Sequence, residues 1–174
     1  VEIASRTGIH IHHGTIESLE LSDDTYDVVY TIQTIEHVAQ PDEVLAAIFR
    51  ILKPGGRLVI VTDNTDSVDF TYFKASYWGG YHFPRHWNLF NPRSLTCLAH
   101  KTGFEVEKLD TIVSPVNWVY SIHNYLVDKK APQWLINQFT LKSPISLGIF
   151  TILDTILQKF GRGALLNAYL VKPK

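Results

Sequence analysis

Residues Tyr26–Asn64 contain two short apolar runs separated by a helical pattern, and this arrangement limits the chain to a small number of folds. The first run, Asp27–Ile32, is nearly continuous and rich in β-branched residues, as in strands covered on both faces. The second run is Leu58–Thr62. Between them, Asp42–Leu52 places apolar side chains at intervals of three and four, which predicts an amphipathic helix. A strand, a crossover helix and a parallel strand form a right-handed βαβ unit, and this unit predicts an α/β fold.

The residues around the central helix indicate where it begins and ends. Pro41 and Asp42 suit a first helical turn, because proline's missing N–H has no cost there and the helix dipole favours a negative charge. Pro54 cannot continue the helix, while Gly55 and Gly56 permit the backbone to reverse. We therefore expect a tight return to the second strand.

The rest of the chain alternates between short apolar runs and helical patterns. Val1–Gly8 has the small residues and final glycine of a helix end, and Ile9–His13 alternates as a short strand does. The pair Asn91-Pro92, followed by Ser94, predicts the start of another helix. Phe104–Val113 and Ala164–Val171 are then expected to be strands.

A further helix is predicted in the apolar segment before the last strand. We expect its apolar side to pack in the core, because this is the usual place of such a face. Charged residues interrupt the segment, so it is not expected to span a membrane. The apolar positions are Ile145, Ile149, Ile152, Leu153, Ile156, Leu157 and Phe160. The opposite side holds Thr151, Asp154, Thr155 and Lys159.

The composition excludes several classes of protein. The 174 residues include 16 basic and 17 acidic side chains, for a net charge of −1. Because the basic residues are scattered, we expect no binding surface for nucleic acid or anionic membranes. Cys97 is the single cysteine, which leaves no disulfide framework and no cysteine metal site. No signal peptide is visible, and a cytoplasmic location is expected.

Two stretches of the chain resemble the class I S-adenosylmethionine-dependent methyltransferases. YDVVYTIQTIEHVAQPDEVLAAIFRILKPGGRLVIVTDN is similar to the family's strand, EHV corner, helix and LKPGG turn, and HWNLFNPRSLTCLAHKTGFEV resembles a later helix and strand. The matched part extends from Gly14 to Val113. The resemblance implies a Rossmann-like, doubly wound, mostly parallel sheet with an antiparallel C-terminal strand, in the family's order 3-2-1-4-5-7-6.

The family's glycine-rich loop is missing from this resemblance. No G-x-G-x-G occurs in the chain, which begins with Val1 and contains no methionine. We interpret this as an N-terminal truncation or a loss of residues, which would remove the two central strands and leave unpaired edges. One domain is expected over residues 1–174. Its expected parts are a core (1–63, 91–113 and 163–174), an aromatic lid (64–90) and a helical insertion (114–162).

The resemblance implies S-adenosylmethionine as the cofactor and assigns residues to both of its ends. In GTIESLELSDDTYDVV, Thr15 occupies the position of an acidic residue that meets the adenine amino group in the family. Ile16 would then contact adenine through apolar and backbone groups, with Glu17 as a polar substitute. Gln33 and Thr34 follow the first strand and would border the methionine part. The alternative is that Thr15–Ser18 form only a turn.

The pair Glu36-His37 has two interpretations. In some relatives that act on quinone or phenol precursors, a Glu-x-x-Glu-His cluster is linked to a divalent metal. Here Gln33 replaces the first glutamate, and a hard cation favours carboxylate oxygen, so we expect no metal site. The alternative role is to begin a helix and to hold neighbouring loops by hydrogen bonds.

The long connector Asp63–Leu89 is expected to be a lid. It shows no clear regular structure and is rich in aromatic residues, which suits an apolar binding pocket. The alternative is an aromatic cluster beneath a long loop. The candidates for acceptor binding are Tyr77, Trp78, Tyr81 and His82.

Histidine is the natural base near neutral pH if the acceptor is a poorly ionised hydroxyl or amine. We expect His86, in PRHWNLF, to take this role, with His37 as the second candidate. The alternative for His86 is that it pins the lid by hydrogen bonding.

These features predict a methyltransferase that acts on a small-molecule acceptor, such as a hydroxyl of a sugar, lipid-linked or quinone-type compound. A second hypothesis is a non-catalytic scaffold or partner-binding module, favoured by the missing glycine-rich loop. A third hypothesis is another nucleotide-binding α/β enzyme, such as a dehydrogenase. The EHV and LKPGG motifs would have no role in such an enzyme. The sequence leaves the acceptor, the methylated atom and the oligomeric state open.

Overall fold

The computed structural model describes residues 10–82 and 84–174, which form a mixed four-stranded sheet with flanking helices. The strands are β1 (Tyr26–Ile32), β2 (Leu52–Asp63), β3 (Glu105–Ile112) and β4 (Leu165–Val171). Their order across the sheet is β1-β2-β4-β3. β1 pairs parallel with β2, whereas β4 is antiparallel to both β2 and β3. This topology confirms the α/β fold with an antiparallel C-terminal strand.

Helices and short 3-10 turns connect these strands. The helices of the described ranges are α1 (Pro41–Ile51), α2 (Val68–Phe73), α3 (Pro92–Lys101), α4 (Pro115–Asp128), α5 (Gln133–Ile136) and α6 (Pro144–Gln158). The 3-10 turns are Ile35–His37, after β1, and Gly79–Tyr81, between α2 and α3. The connector between β2 and α3 therefore contains regular structure that its sequence did not indicate.

The βαβ unit forms close to its expected limits. Helix α1 buries its apolar face, with Leu45 and Ile48 fully covered by the main core. After the helix, the pairing of β1 with β2 jumps from Tyr26↔Leu52 to Val28↔Arg57, so the Lys-Pro-Gly-Gly stretch lies outside the regular ladder. Gly55 has φ +81° there, in the left-handed region that glycine adopts without strain.

The main core lies around β2 and β4. Leu58 and Ile60 of β2, and Leu166 and Leu170 of β4, have no exposed surface. Side chains from α1 and α3 complete this cluster. Burial of each such side chain contributes about 1.5–3 kcal/mol relative to exposure.

A second apolar cluster joins α4 to α6. Its buried members are Trp118 and Val119 of α4 and Phe150 of α6. The Trp118 and Phe150 rings stack with centroids 5.6 Å apart and planes inclined by 4°. The segment between β3 and β4 thus has its own packing centre.

The expectation that the first strand is covered on both faces is wrong. Val28, Tyr30 and Ile32 are 41%, 65% and 60% exposed, whereas Thr31 between them is buried. β1 lies at an edge of the described sheet. The face of β1 that carries Val28, Tyr30 and Ile32 is left exposed by the described residues.

The expectations for the first residues are only partly testable. The predicted helix end Val1–Gly8 lies outside the described residues. Of the predicted strand Ile9–His13, residues 10–13 have no regular structure, so that expectation is wrong for the described part.

Helix α6 exposes the face that we expected in the core. Its apolar side chains instead form two faces, and Leu153 and Leu157 belong to the one that packs in the second cluster. Asp154, expected on the solvent side, is fully buried. The backbone N–H groups of Ser114 and Ala164 donate to its carboxylate and offset the cost of this burial. Within the described ranges, no helix combines the length and apolar character needed to cross a membrane.

Candidate functional site

Polar side chains gather where β1 and β2 end. The carboxyl ends of parallel strands share one edge of a sheet, and ligands bind there in open α/β sheets. The 3-10 turn after β1 and the last residue of β2 supply part of the group, and the aromatic connector and α4 supply the rest. We call these residues the polar cluster: Glu36, His37, Asp63, His86 and Asn117.

Glu36 is a buried carboxylate at the centre of this cluster. Its side chain is 1% exposed, and Oε2 accepts a hydrogen bond from Thr62 Oγ1 at 2.8 Å. Its Oε1 has no hydrogen-bond partner among the described residues. The backbone carbonyl of Glu36 accepts from the N–H groups of Trp87 and Asn88, which fixes the end of the aromatic connector against the β1 corner. Burial of an unpaired carboxylate oxygen is costly, so this atom is available to a ligand.

Asp63 is the second buried carboxylate. Asn117 donates to its Oδ1 at 2.7 Å, and its Oδ2 lies 3.4 Å from His86 Nδ1. Burial raises the pKa of Asp63 to about 7, and the negative charges of Glu36 and Asp69 act in the same direction, while the Asn117 bond opposes them. Asp63 therefore changes between its protonated and ionised forms near neutral pH, and not in the acid range of an ordinary aspartate.

His86 is held in one tautomer. Its Nδ1 lies 2.7 Å from the Gly80 carbonyl oxygen, which can only accept, so Nδ1 carries the proton and Nε2 carries the lone pair. Burial lowers the pKa of His86, because the charged form loses its hydration. The side chain is only 5% exposed. A neutral imidazole with an unprotonated Nε2 is a competent proton acceptor at neutral pH.

His37 is held in the same way. Its Nδ1 donates to the Arg85 carbonyl at 3.0 Å, and its ring meets the His86 ring edge-on with centroids 4.6 Å apart. Its Nε2 lies 3.9 Å from Glu36 Oε1. The alternative for this pair expected it to begin a helix and to hold neighbouring loops. Glu36 and His37 instead end the 3-10 turn that begins at Ile35, and their hydrogen bonds hold the neighbouring loop.

The cluster also contains groups that could hold a metal. One possible ligand atom each from Glu36, His37 and His86 lies within 4.8 Å of the others. Two imidazoles and one carboxylate form a donor set suited to first-row divalent cations. The sequence argument against a metal considered only Gln33, Glu36 and His37. It did not include His86, which lies about fifty residues further along the chain. The absence of a metal therefore stays a prediction.

A cavity of about 570 Å³ lies beside the carboxyl end of β1, and we call it the β1 pocket. The predicted cofactor residues that line it are Thr15, Ile16, Glu17 and Thr34. His37 lines it as well, so the β1 pocket adjoins the polar cluster. Thr31 contributes a buried Oγ1 that has no partner among the described residues. Gln33 does not line the cavity; it turns the corner with φ +49°, and its N–H donates to Val61.

The predicted acceptor residues lie on the aromatic connector. Trp78, Tyr81 and His82 line a cavity of about 400 Å³ together with Tyr120 of α4. Trp78 is 1% exposed and donates through Nε1 to buried Asp69, so most of its ring serves packing. The hydroxyl of Tyr77 donates to Asp128 at the far end of α4, and Tyr77 does not line this cavity. Their role in binding an acceptor stays a prediction.

Two members of the cluster were not identified from sequence. Asp63 ends an apolar strand, and a carboxylate at that point is a recognisable signal in a parallel sheet. Asn117 gave no signal, because an amide in an apolar helix resembles any polar substitution. Its role follows from the position of the first turn of α4, which brings the Asn117 amide to the last residue of β2.

Comparisons with known proteins agree with this architecture. A family model described as a methyltransferase domain matches residues 2–109. A ubiquinone biosynthesis O-methyltransferase of Cereibacter sphaeroides is 30% identical over 127 residues, which covers 68% of this chain and 51% of that protein. A probable S-adenosylmethionine-dependent methyltransferase of Mycolicibacterium smegmatis is 33% identical over 99 residues, covering 57% and 36%. The chain thus spans about half the length, or less, of these curated relatives.

A solved structure shares the fold over almost the whole chain. This SAM-dependent methyltransferase of Thermotoga maritima, described as a possible histamine N-methyltransferase, has a TM-score of 0.63 at 22% identity. The alignment covers 98% of this chain and 68% of that one. Because the family model covers more than half of the residues, the chain belongs to the class I S-adenosylmethionine-dependent methyltransferase family.

Proposed function

We propose that the protein transfers a methyl group from S-adenosylmethionine to a hydroxyl oxygen of a small phenol-type or quinone-type acceptor. The bound cofactor supplies a methyl group on a positively charged sulfur, with a neutral leaving group. The protein then has to align the acceptor, accept its proton and exclude water. The observation that carries the proposal is His86, a buried neutral imidazole with an unprotonated Nε2. Its ring contacts His37, which lines the β1 pocket.

The size and lining of the β1 pocket support a cofactor site there. Its volume lies within the range of about 300–1,000 Å³ that is usual for small-molecule sites. Thr15, Ile16 and Glu17 would hold the adenosine part, and Thr34 would border the amino-acid part. The buried Oγ1 of Thr31 lacks a partner in the described ranges, and a polar ligand would provide one.

His86 would act as the base. Its Nδ1–H bond to Gly80 fixes the ring, and burial keeps the imidazole neutral at rest. After proton transfer, the negative charge of Glu36 would stabilise the imidazolium, and the ionised form of Asp63, 3.4 Å from His86 Nδ1, would add to it. His37 would lie between this base and the β1 pocket and thus limit where the acceptor can enter.

The acceptor class is supported by two observations. A relative at 30% identity is named for O-methylation in ubiquinone biosynthesis. The cavity beside His82 is bordered by the aromatic side chains of Tyr81 and Tyr120 and by the polar side chains of Ser76 and Asn124, a mixture that suits an aromatic ring with hydroxyl groups.

Two experiments test the proposal. Calorimetric titration with S-adenosylhomocysteine tests the cofactor site, and binding should weaken in Ile16→Asp, which places a charge in the β1 pocket. Methyl transfer from labelled S-adenosylmethionine to catechol, with glucose as a comparison acceptor, tests the reaction. We expect His86→Ala to lower the rate by about 10²–10⁴-fold without loss of S-adenosylhomocysteine binding. His100→Ala, an exposed histidine of α3, is the matched control and should be unchanged.

The pH profile separates a base from a structural histidine. Because the pKa of His86 is lowered, the rate should rise with pH below the ordinary histidine range and then remain level. This rise should be absent in His86→Ala. Equal rates for wild type and His86→Ala would refute the role of His86, and a protein that binds no S-adenosylhomocysteine would support the scaffold hypothesis instead.

A further inference from the structure

Helix α6 and Phe160, two residues beyond its end, carry an exposed apolar surface that the proposed methyl transfer does not use. Steps of four, three and four keep its isoleucines on one narrow helical face. All five side chains are more than half exposed, from 51% for Ile156 to 75% for Phe160. Contiguous apolar surfaces of this kind mark an interaction site. We call these residues the α6 stripe: Ile145, Ile149, Ile152, Ile156 and Phe160.

The α6 stripe is not needed to hold the helix in place. A different face of α6, which includes Phe150, Leu153 and Leu157, packs in the second cluster with α4. Buried Asp154 attaches the same side to the backbone of Ser114 and Ala164. The helix is therefore fixed by its inner face, and the stripe is surplus to folding.

The exposed charged side chains in the segment that contains the stripe are all basic. From residue 130 to residue 162, the basic residues are Lys130, Lys142, Lys159 and Arg162, and all are exposed. Asp154 is the one acidic residue in this range of the sequence, and it is fully buried. The exposed charge of this segment is therefore positive, although the whole chain has a net charge of −1. Lys142 and Lys159 flank the two ends of the helix.

An apolar groove continues the stripe. It has a volume of about 430 Å³ and lies between α4, α5 and α6. Ile145 and Ile149 of the stripe form one wall, and Ile122, Leu135 and Phe139 contribute to the remainder. The exposed surface is thus wider than a single row of side chains.

We propose that the α6 stripe docks on the surface of an anionic membrane, with the helix parallel to the bilayer plane. An amphipathic helix with basic residues at its margin binds in this way, since apolar burial and attraction to anionic headgroups add together. Lys142 and Lys159 have stems long enough to reach headgroup phosphates while the isoleucines enter the acyl boundary. A second copy of the chain fits less well, because two stripes placed face to face would bring basic residues together.

Vesicle sedimentation tests this proposal with the full chain. We expect binding to phosphatidylcholine vesicles that contain phosphatidylglycerol, and weaker binding to phosphatidylcholine alone. The triple variant Ile149→Ser, Ile152→Ser, Ile156→Ser should weaken the apparent affinity by about tenfold or more. The matched control, Tyr72→Ser with Leu89→Ser, removes exposed apolar side chains elsewhere and should bind normally. Circular dichroism should show the same fold in all three proteins, because every substituted side chain is exposed.

A charge variant tests the second part of the argument. Lys142→Gln with Lys159→Gln should weaken binding to the anionic vesicles by about tenfold or more and have little effect on phosphatidylcholine alone. Wild-type protein that fails to bind anionic vesicles, or a triple variant that binds as well as wild type, would overturn the proposal. So would a wild-type dimer that the triple variant dissociates in the absence of vesicle binding, since a second copy would then cover the stripe.

Discussion

Helices α1 and α6 have similar apolar spacing in the sequence but differ in how they are covered. In α1 the apolar residues form one face, and its members are buried, with Leu45 and Ile48 at 0% exposure. In α6 they form two faces, and one of them is exposed, with Ile145 at 69% and Ile152 at 66%. A repeat of three and four thus predicts a helix, but it does not determine how many apolar faces find a partner.

The connections of the two helices explain the difference. Helix α1 joins the parallel strands β1 and β2, so the chain has to cross over the sheet and the helix has to pack on it. Helix α6 lies between β3 and β4, which are antiparallel and could be joined by a short turn. Topology therefore fixes the position of α1, whereas only the contacts with α4 and the buried Asp154 fix the position of α6.

The strongest test of this comparison is a pair of truncations. Leu45→Ala in α1 should lower the free energy of unfolding by about 2–5 kcal/mol, because it leaves a cavity in the main core. Ile152→Ala in α6 should change it by about 0.5 kcal/mol or less, because the side chain is exposed. Urea unfolding of both variants measures the difference. Similar losses would mean that the outer face of α6 is buried.

A smaller effect is expected from the polar attachment of α6. Asp154→Ala removes the acceptor for the N–H groups of Ser114 and Ala164, at a cost of about 1–3 kcal/mol per unpaired group. Asp154→Asn keeps one acceptor oxygen and should lose less. Thermal unfolding compares them, with exposed Thr155→Ala as the control. If Asp154→Ala unfolds at the wild-type temperature, packing alone holds α6.

The buried carboxyl group of Asp154 also predicts that the free energy of unfolding depends on pH. Burial raises the pKa of Asp154 above its unfolded value, so the native state binds more protons than the unfolded state. Its favourable contribution is complete below the unfolded pKa of about 3.9 and declines as the pH rises towards the folded value. Asp63 and Asp69 act in the same direction, so the measured quantity is the difference between wild type and Asp154→Asn. Unfolding curves whose difference is independent of pH would contradict this.

The smallest effect, with the opposite sign, is expected in α1. Lys101 donates to Asp42 at 2.7 Å, and this hydrogen bond, aided by the Lys101 charge, lowers the pKa of Asp42. The resulting stabilisation is present above the unfolded pKa and is lost as the pH falls through the folded value. Asp42→Asn should therefore differ from wild type only slightly, and the difference should vanish at low pH and in high salt. A difference that persists in acid would have another origin.

Local sequence patterns predicted the elements whose position follows from neighbours along the chain. The βαβ unit is one case, because strand, helix and strand follow each other directly. Helix α3 is another, since Asn91 and Ser94 form a reciprocal capping box at its start. The closing strand Leu165–Val171 also formed as expected, antiparallel to both neighbours.

The β1 pocket could be predicted from the sequence better than the polar cluster beside it. Thr15, Ile16, Glu17 and Thr34 were placed beside the first strand from the family resemblance, and they line one cavity. The approach of His86 to Glu36 and Asp63 depends on the path of a long aromatic connector, which no local pattern determines. The net charge of the whole chain did not indicate the positive segment around α6, because it sums that segment with acidic residues elsewhere.

Helix α4 has consecutive residues in two different environments. The Asn117 amide donates to Asp63 and thereby lowers its pKa, whereas the Trp118 ring stacks on Phe150 of α6. Neighbouring residues of a rigid helix cannot move independently, so a small rotation of α4 would reach both contacts through covalent geometry. A loosened Asn117 bond would raise the pKa of Asp63 further. A change in the contacts of α6 would therefore alter the pKa of Asp63, although the two lie in different parts of the molecule.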